Sequence, residues 1–239
     1  MPDSLLFNGT TNYIRFGPGT IVGTGPLTVV FIVKISTDAA DFKNFLGWNA
    51  TDGFFQMGNA NPRPLGTYTG ANLESSAFTV SATEGWIVVG FSVDDTGANI
   101  GRFHKFVYGG AWTHSAGDTN NVNDLAACTA IYIGAHTAGT ANFFPGNILI
   151  AGWWDSQLTD VAIEALAVDQ AAWVAAAPTA AWRFDTLSPI SSFVGSSNEV
   201  SRVGTTLDSG DAPAGWTDLT VAGPGDDPPI GISGRGAGW

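Results

Sequence analysis

The apolar residues of this chain come in short runs rich in Val, Ile, Phe, Tyr and Trp, cut off from one another by clusters of Gly, Asn, Asp and Thr. That rhythm predicts strands. β-Branched and aromatic side chains pack well on a pleated surface, and the intervening residues suit turns. The runs are Ser4–Phe7, Tyr13–Phe16, Leu27–Ile35, Phe45–Trp48, Gly53–Met57, Gly66–Tyr68, Phe78–Val80, Trp86–Val93, Gly101–Tyr108, Ala130–Gly134, Gly146–Trp154 and Thr179–Phe184. Leu27–Ile35 (LTVVFIVKI) is apolar at consecutive positions, as in a central strand covered on both faces. Gly146–Trp154 reads the same way, with Ile148 and Ile150 on one face and Leu149 and Ala151 on the other. Many short strands joined by turns predict an all-β fold, an antiparallel sandwich or jelly roll. Asp outnumbers Glu 17 to 4, which favours turns over helices and excludes a mainly helical chain.

Two segments depart from this pattern. Leu158–Ala175 has Val161, Ala165, Val168 and Ala172 at helical spacing, with Thr159 as N-cap, Asp160 in the first turn and Pro178 as a stop. It predicts one helix near 159–175. After about Ser188 the chain turns to Ser, Gly, Pro and Asp, including Gly223-Pro224-Gly225-Asp226-Asp227-Pro228-Pro229. The division expected is therefore a sandwich over 1–187 and a C-terminal arm over 188–239. Spaced large residues in the arm, Trp216, Ile230 and Trp239 among them, suit an extended segment docked on another surface. On that reading 1–187 folds alone, and the arm attaches it to an assembly.

Charge and cysteine narrow the function. The net charge of −12 leaves no basic patch for phosphates, so nucleic-acid binding is not expected, and anionic membrane surfaces are disfavoured. No apolar run is long enough to span a bilayer, and Met1–Thr10 lacks the features of a signal peptide. Cys128 is the sole cysteine, so an internal disulfide and a thiolate cluster are excluded, and a buried inert thiol is expected.

Three stretches in order resemble the concanavalin A-like, laminin-G-like jelly-roll family: SLLFNGTTNYIRF at Ser4–Phe16, GWIVVGFSVD at Gly85–Asp94, and IYIGAHTAGTANFFPGNILIAGWWDSQLTDVAIEAL at Ile131–Leu166. The resemblance covers roughly 4–184. The ending, with Gly204-Thr205-Thr206, Asp226-Asp227-Pro228-Pro229 and a Gly/Trp terminus, resembles minor tail proteins of phages infecting actinobacteria. It implies a virion component, more readily of the tail than of the capsid surface, touching other virion proteins and copies of itself. Release by lysis would then account for the missing signal peptide and disulfides.

Glycosidases on this jelly roll use a Glu-x-Asp-x-x-Glu run, which is missing, and Glu74, Glu84, Glu164 and Glu199 lie far apart, so no enzyme is expected. No G-x-S-x-G occurs, and His104, His114 and His136 are scattered. His104 is expected at the surface or in packing, facing solvent from its strand. The resemblance implies calcium as the usual ion of the family, and Asp94, Asp95 and Asn99 form the best cluster for it, although the same residues suit a plain hairpin turn. A second polar loop runs over 118–124. A glycan, such as one on a host cell surface, would use aromatic rings stacked on sugar C–H faces beside amide groups. Trp48, Trp112, His136, Asn142 and Phe143 are the candidates near turns. The function expected is a non-enzymatic tail protein displaying a lectin-like jelly roll; the alternatives are a capsid decoration protein and a free soluble lectin.

Overall fold

A computed structural model describes residues 3–21, 25–38, 41–49, 53–59, 62–68, 72–94, 100–117, 128–136, 139–187, 189–190, 192–209 and 211–217. The strands are β1 (Ser4–Asn8), β2 (Tyr13–Phe16), β3 (Leu27–Ile35), β4 (Lys43–Trp48), β5 (Gly53–Met57), β6 (Arg63–Tyr68), β7 (Asn72–Val80), β8 (Trp86–Val93), β9 (Gly101–Val107), β10 (Trp112–His114), β11 (Ile131–Ile133), β12 (Pro145–Trp154), β13 (Ala180–Arg183), β14 (Glu199–Val203) and β15 (Thr206–Asp208). They form two antiparallel sheets. One has eight strands in the order β10-β9-β8-β3-β12-β1-β15, with β13 also paired to β12; the other has seven, in the order β14-β2-β11-β4-β5-β6-β7. The chain is thus the all-β antiparallel sandwich its strand runs predict.

Two apolar layers hold it together. Between the sheets lie Phe7, Phe16, Phe31, Phe45, Phe55, Phe91, Phe103, Trp48, Trp153 and Trp182, with aliphatic neighbours. On the outer side of the eight-stranded sheet a second cluster joins Val30, Ile32, Val88, Ile150 and Trp154 to Ile163, Leu166, Trp173 and Trp216. β3 shows why its sequence is apolar throughout: Val29, Phe31, Val33 and Ile35 face the first layer, while Val30 and Ile32 face the second. β12 departs from simple alternation. Its pairing with β3 shifts between Ile148 and Ile150, so Ile148 and Ala151 face the sandwich core and Leu149 and Ile150 the second cluster. A bulge inserts one residue and reverses the faces beyond it; the expected pairing of Ile148 with Ile150 on one face is corrected accordingly.

The expected helix is two helices, α1 (Asp160–Ala165) and α2 (Gln170–Ala175). Thr159 caps the first, its Oγ1 accepting from Ala162 N at 3.2 Å, and Asp169 caps the second, accepting from Ala172 N at 2.8 Å. The new N-cap restarts the helix in a different phase, and the Trp173 indole donates to Leu166 O at 2.7 Å across the break. The buried residues are therefore Ile163, Leu166 and Trp173, while Val161 and Val168, expected on the apolar face, are 76% and 60% exposed.

Residues expected to leave the sandwich as an arm are partly built into it. β14 pairs with β2 at the edge of the seven-stranded sheet, and β15 pairs with β1 in the other. Asp211 accepts from Lys34 Nζ at 2.9 Å and from Trp86 Nε1 at 3.0 Å, and Gln170 N donates to Thr217 O at 3.1 Å. Trp216, read as a partner anchor, is buried in the chain's own second cluster. It has an apolar bed within the chain, which the composition of 188–239 did not announce. Ile230 and Trp239 lie outside the described residues.

Candidate functional site

The outer face of the seven-stranded sheet carries a group of half-buried rings. On β2 and β11, Ile14, Phe16, Ile131 and Ile133 point into the core, so the alternate residues Tyr13, Arg15 and Tyr132 point out. Phe55 and Met57 are buried on β5, which leaves Phe54 and Gln56 on the outer face. In register, Arg15 sits beside Tyr132, Tyr132 beside Gly47, and Gly47 beside Phe54. Gly47 places no side chain between the two rings, whose strands run about 10 Å apart.

The connection from β11 to β12 brings further groups to this face. It is closed by His136 N donating to Ala141 O at 2.9 Å, Gly139 N to His136 O at 3.0 Å and Phe144 N to Gly134 O at 2.8 Å. Phe143 and Phe144 point opposite ways. Phe144 packs on Phe7 and Phe45 in the core, while Phe143 stacks on Tyr13 with ring centres 6.4 Å apart. Tyr13 also meets Tyr132 at 6.2 Å, and His136 lies 5.3 Å from Phe54. Gly139 has φ +64°, and a Cβ there would come within 2.7 Å of the Tyr13 ring. The close approach of the loop to that ring thus requires glycine. Asn142 takes φ 54°, which Asn tolerates, and its carbonyl accepts from Asn44 N at 2.7 Å. Asn44 is fully buried as the cross-strand neighbour of Gln56, and neither its Oδ1 nor its Nδ2 has a hydrogen-bond partner. Tyr13, Phe54, Tyr132, His136 and Phe143, with polar groups at Arg15, Gln56 and Asn142, form a platform of rings edged by hydrogen-bonding groups.

Of the residues expected to touch a ligand, His136, Asn142 and Phe143 meet on this face. Trp48 does not: it is fully buried between the sheets, edge-on to Trp153 at 5.2 Å. It precedes a turn, but its strand position alternates it inward. Trp112 lies on the other sheet, stacked on Phe106 and His114. Tyr13, Tyr132 and Phe54 were not among the residues expected to touch a ligand. Their positions between core residues of β2, β11 and β5 carried the signal, since the partner of a buried i±1 residue on a strand faces outward.

Other expected sites resolve differently. Asp94 Oδ1 accepts from Ile100 N at 2.7 Å, across the ends of the antiparallel pair β8 and β9. Asp95 and Asn99 lie outside the described residues, as does the 118–124 loop. Glu84 pairs with Lys105 and Glu199 with Arg202, so these two carboxylates are tied up separately. His104 is fully buried rather than facing solvent, because α1 and β10 close over its strand. Its Nε2 lies 2.9 Å from Ser92 Oγ. Burial, with His114 next to it, pushes its pKa down to about 3, so the ring is neutral at pH 7. Ser92 is itself 1% exposed, out of reach of a substrate.

No protein-family model and no curated protein matches the chain. Solved structures resemble it in fold. A candidate carbohydrate binding protein from Bacteroides ovatus aligns with 89% of this chain at TM-score 0.60 and 14% identity; the chain spans 61% of that protein's length. Domain 4 of an extracellular GH43 arabinanase from Geobacillus stearothermophilus, solved with arabinotriose, aligns with 67% of this chain and 74% of its own at TM-score 0.51 and 17% identity. A heptameric SAP-like pentraxin from Limulus polyphemus covers 70% of this chain and 82% of its own at TM-score 0.50 and 16% identity. At these identities the likeness is one of architecture: the chain shares its antiparallel β-sandwich with these three proteins.

Proposed function

We propose that this protein is a non-enzymatic, lectin-like module that holds a glycan on the outer face of its seven-stranded sheet, and that it serves as a minor tail protein of a phage virion, presenting that face to the host surface. The observation that carries the glycan reading is the platform of Tyr13, Tyr132, Phe143, Phe54 and His136. Rings exposed on one side offer faces for sugar C–H groups, and the adjoining Arg, Gln and Asn groups supply hydrogen bonds for sugar hydroxyls. The fold shared with a candidate carbohydrate binding protein and with an arabinanase domain solved with arabinotriose supports it. The virion reading rests on the resemblance of the C-terminal sequence to phage tail proteins.

A glycan array probed with the whole protein tests the first part. Binding to a defined set of glycans is expected, and no retention on any glycan would refute it. Mass spectrometry of purified particles tests the second part; the protein is expected at a few copies per particle, and hundreds of copies would favour a shell protein instead.

A further inference from the structure

Away from the aromatic face, four elements converge on a cluster that the glycan reading does not use. β9 supplies Arg102 and His104, β10 supplies Trp112 and His114, β8 supplies Ser92, and α1 supplies Asp160 and Glu164 one turn apart. His104 Nδ1 and His114 Nδ1 face each other at 2.8 Å. Asp160 Oδ1 lies 3.7 Å from each of them, forming a triangle of two imidazole nitrogens and one carboxylate oxygen. In a tetrahedral zinc site with bonds of 2.0–2.1 Å, ligand atoms stand ~3.3 Å apart. The triangle brackets that spacing.

The outer atoms of all three groups are already held. His104 Nε2 meets Ser92 Oγ at 2.9 Å, His114 Nε2 meets Glu164 Oε1 at 3.0 Å, and Asp160 Oδ2 meets Arg102 at 3.1 Å. An imidazole that donates its far N–H to a carboxylate or hydroxyl turns the lone pair of its near nitrogen inward, which is how metal-binding histidines are oriented. Trp112 stacks on the His114 ring at an interplanar angle of 1° and shields one side. A shared proton between the two Nδ1 atoms would satisfy the histidines alone. It leaves Asp160 Oδ1, buried and without a hydrogen bond, unaccounted for. A cation satisfies all three atoms at once.

We propose that His104 Nδ1, His114 Nδ1 and Asp160 Oδ1 bind a divalent first-row transition-metal ion of the zinc type, which clips α1 to the β9–β10 hairpin. Two nitrogen ligands select such an ion over calcium, which takes oxygen. The site is separate from the Asp94 turn.

Full-length protein stripped with a chelator is titrated with Zn²⁺ by calorimetry and with Co²⁺ by visible absorption at pH 7.5. One ion per chain is expected, with the absorption of four-coordinate cobalt bearing nitrogen ligands, and calcium in excess should not displace it. Asp160→Asn and His114→Gln, checked for native circular dichroism, are each expected to weaken binding at least tenfold. Glu164→Gln, at the carboxylate that meets His114 Nε2 and not the proposed ion, is expected to weaken it roughly 10–100-fold. Absence of stoichiometric binding overturns the proposal, as do affinities unchanged in the Asp160 and His114 variants. Should His114→Gln fail to fold, the wild-type cobalt spectrum decides, and an all-oxygen octahedral spectrum overturns the proposal as well.

Discussion

Gly146 opens β12 with φ +144°, and a Cβ there would stand 2.1 Å from the Lys34 carbonyl oxygen. Backbone is hard to move, so Gly146→Ala is expected to cost upwards of ~2 kcal/mol, read as a drop in the urea midpoint; an unchanged midpoint would show that β3 and β12 can part there without loss. Cys128 is another single residue with a sharp expectation. Burial pushes its thiol up to about 12, so almost no thiolate exists at pH 8. A thiol reagent at pH 8 should leave the native protein unlabelled and label one thiol after unfolding in denaturant; fast native labelling would contradict its burial. The buried thiol was the expectation for a lone cysteine with no partner to bond. The fate of the aromatics was less legible. Trp48 and Phe143 both lie beside turns, yet Trp48 falls on the inward phase of β4 and Phe143 on the outward side of a loop that only tertiary hydrogen bonds fix. A burial phase set by a neighbouring sheet is invisible to a window of a few residues.

Elements with β-branched or aromatic runs were legible to within a residue or so: β2, β3, β5 and β8 begin and end where the runs do. Those missed were short or polar. β10 is Trp-Thr-His, β14 is Glu-Val-Ser-Arg-Val and β15 is Thr-Leu-Asp, and each is an edge strand defined by its partner. The helix split was hidden because Asp169 can serve either as a surface residue in one long helix or as a cap for a second. Since β14, β15 and Asp211 complete the sandwich, a chain ending at residue 187 loses two edge strands, the Lys34–Asp211 pair and the burial of Trp216. It also loses the Trp182 Nε1 bond to Ser197 O at 3.1 Å. The 1–187 fragment is therefore expected to melt at least 10 °C below the full chain or to aggregate, reversing the expectation of an independent 1–187 domain. Equal melting temperatures by circular dichroism would restore that expectation.

At the scale of the molecule, the two sheets and the helix layer leave different surfaces for different tasks. The eight-stranded sheet is covered by α1, α2 and residues 212–216 over its middle strands. Among the described residues the seven-stranded sheet has no such cover over Tyr13, Tyr132 and Phe54, where the aromatic platform lies. The two-sheet fold could be read from strand count and turn chemistry. The platform could not, because it is assembled from β2, β5, β11 and one loop by strand order, and order within a sheet is not written in local pattern. Whether a glycan sits on that platform is decided by calorimetric titration of a glycan selected on the array into single variants. Tyr132→Ala and Phe143→Ala are each expected to weaken binding about tenfold or more, the loss of a ring contact worth ~1.4 kcal/mol, while Trp112→Ala on the opposite sheet leaves affinity within twofold. Full affinity in both platform variants, or its loss in Trp112→Ala alone, would contradict the assignment and place the glycan elsewhere on the molecule.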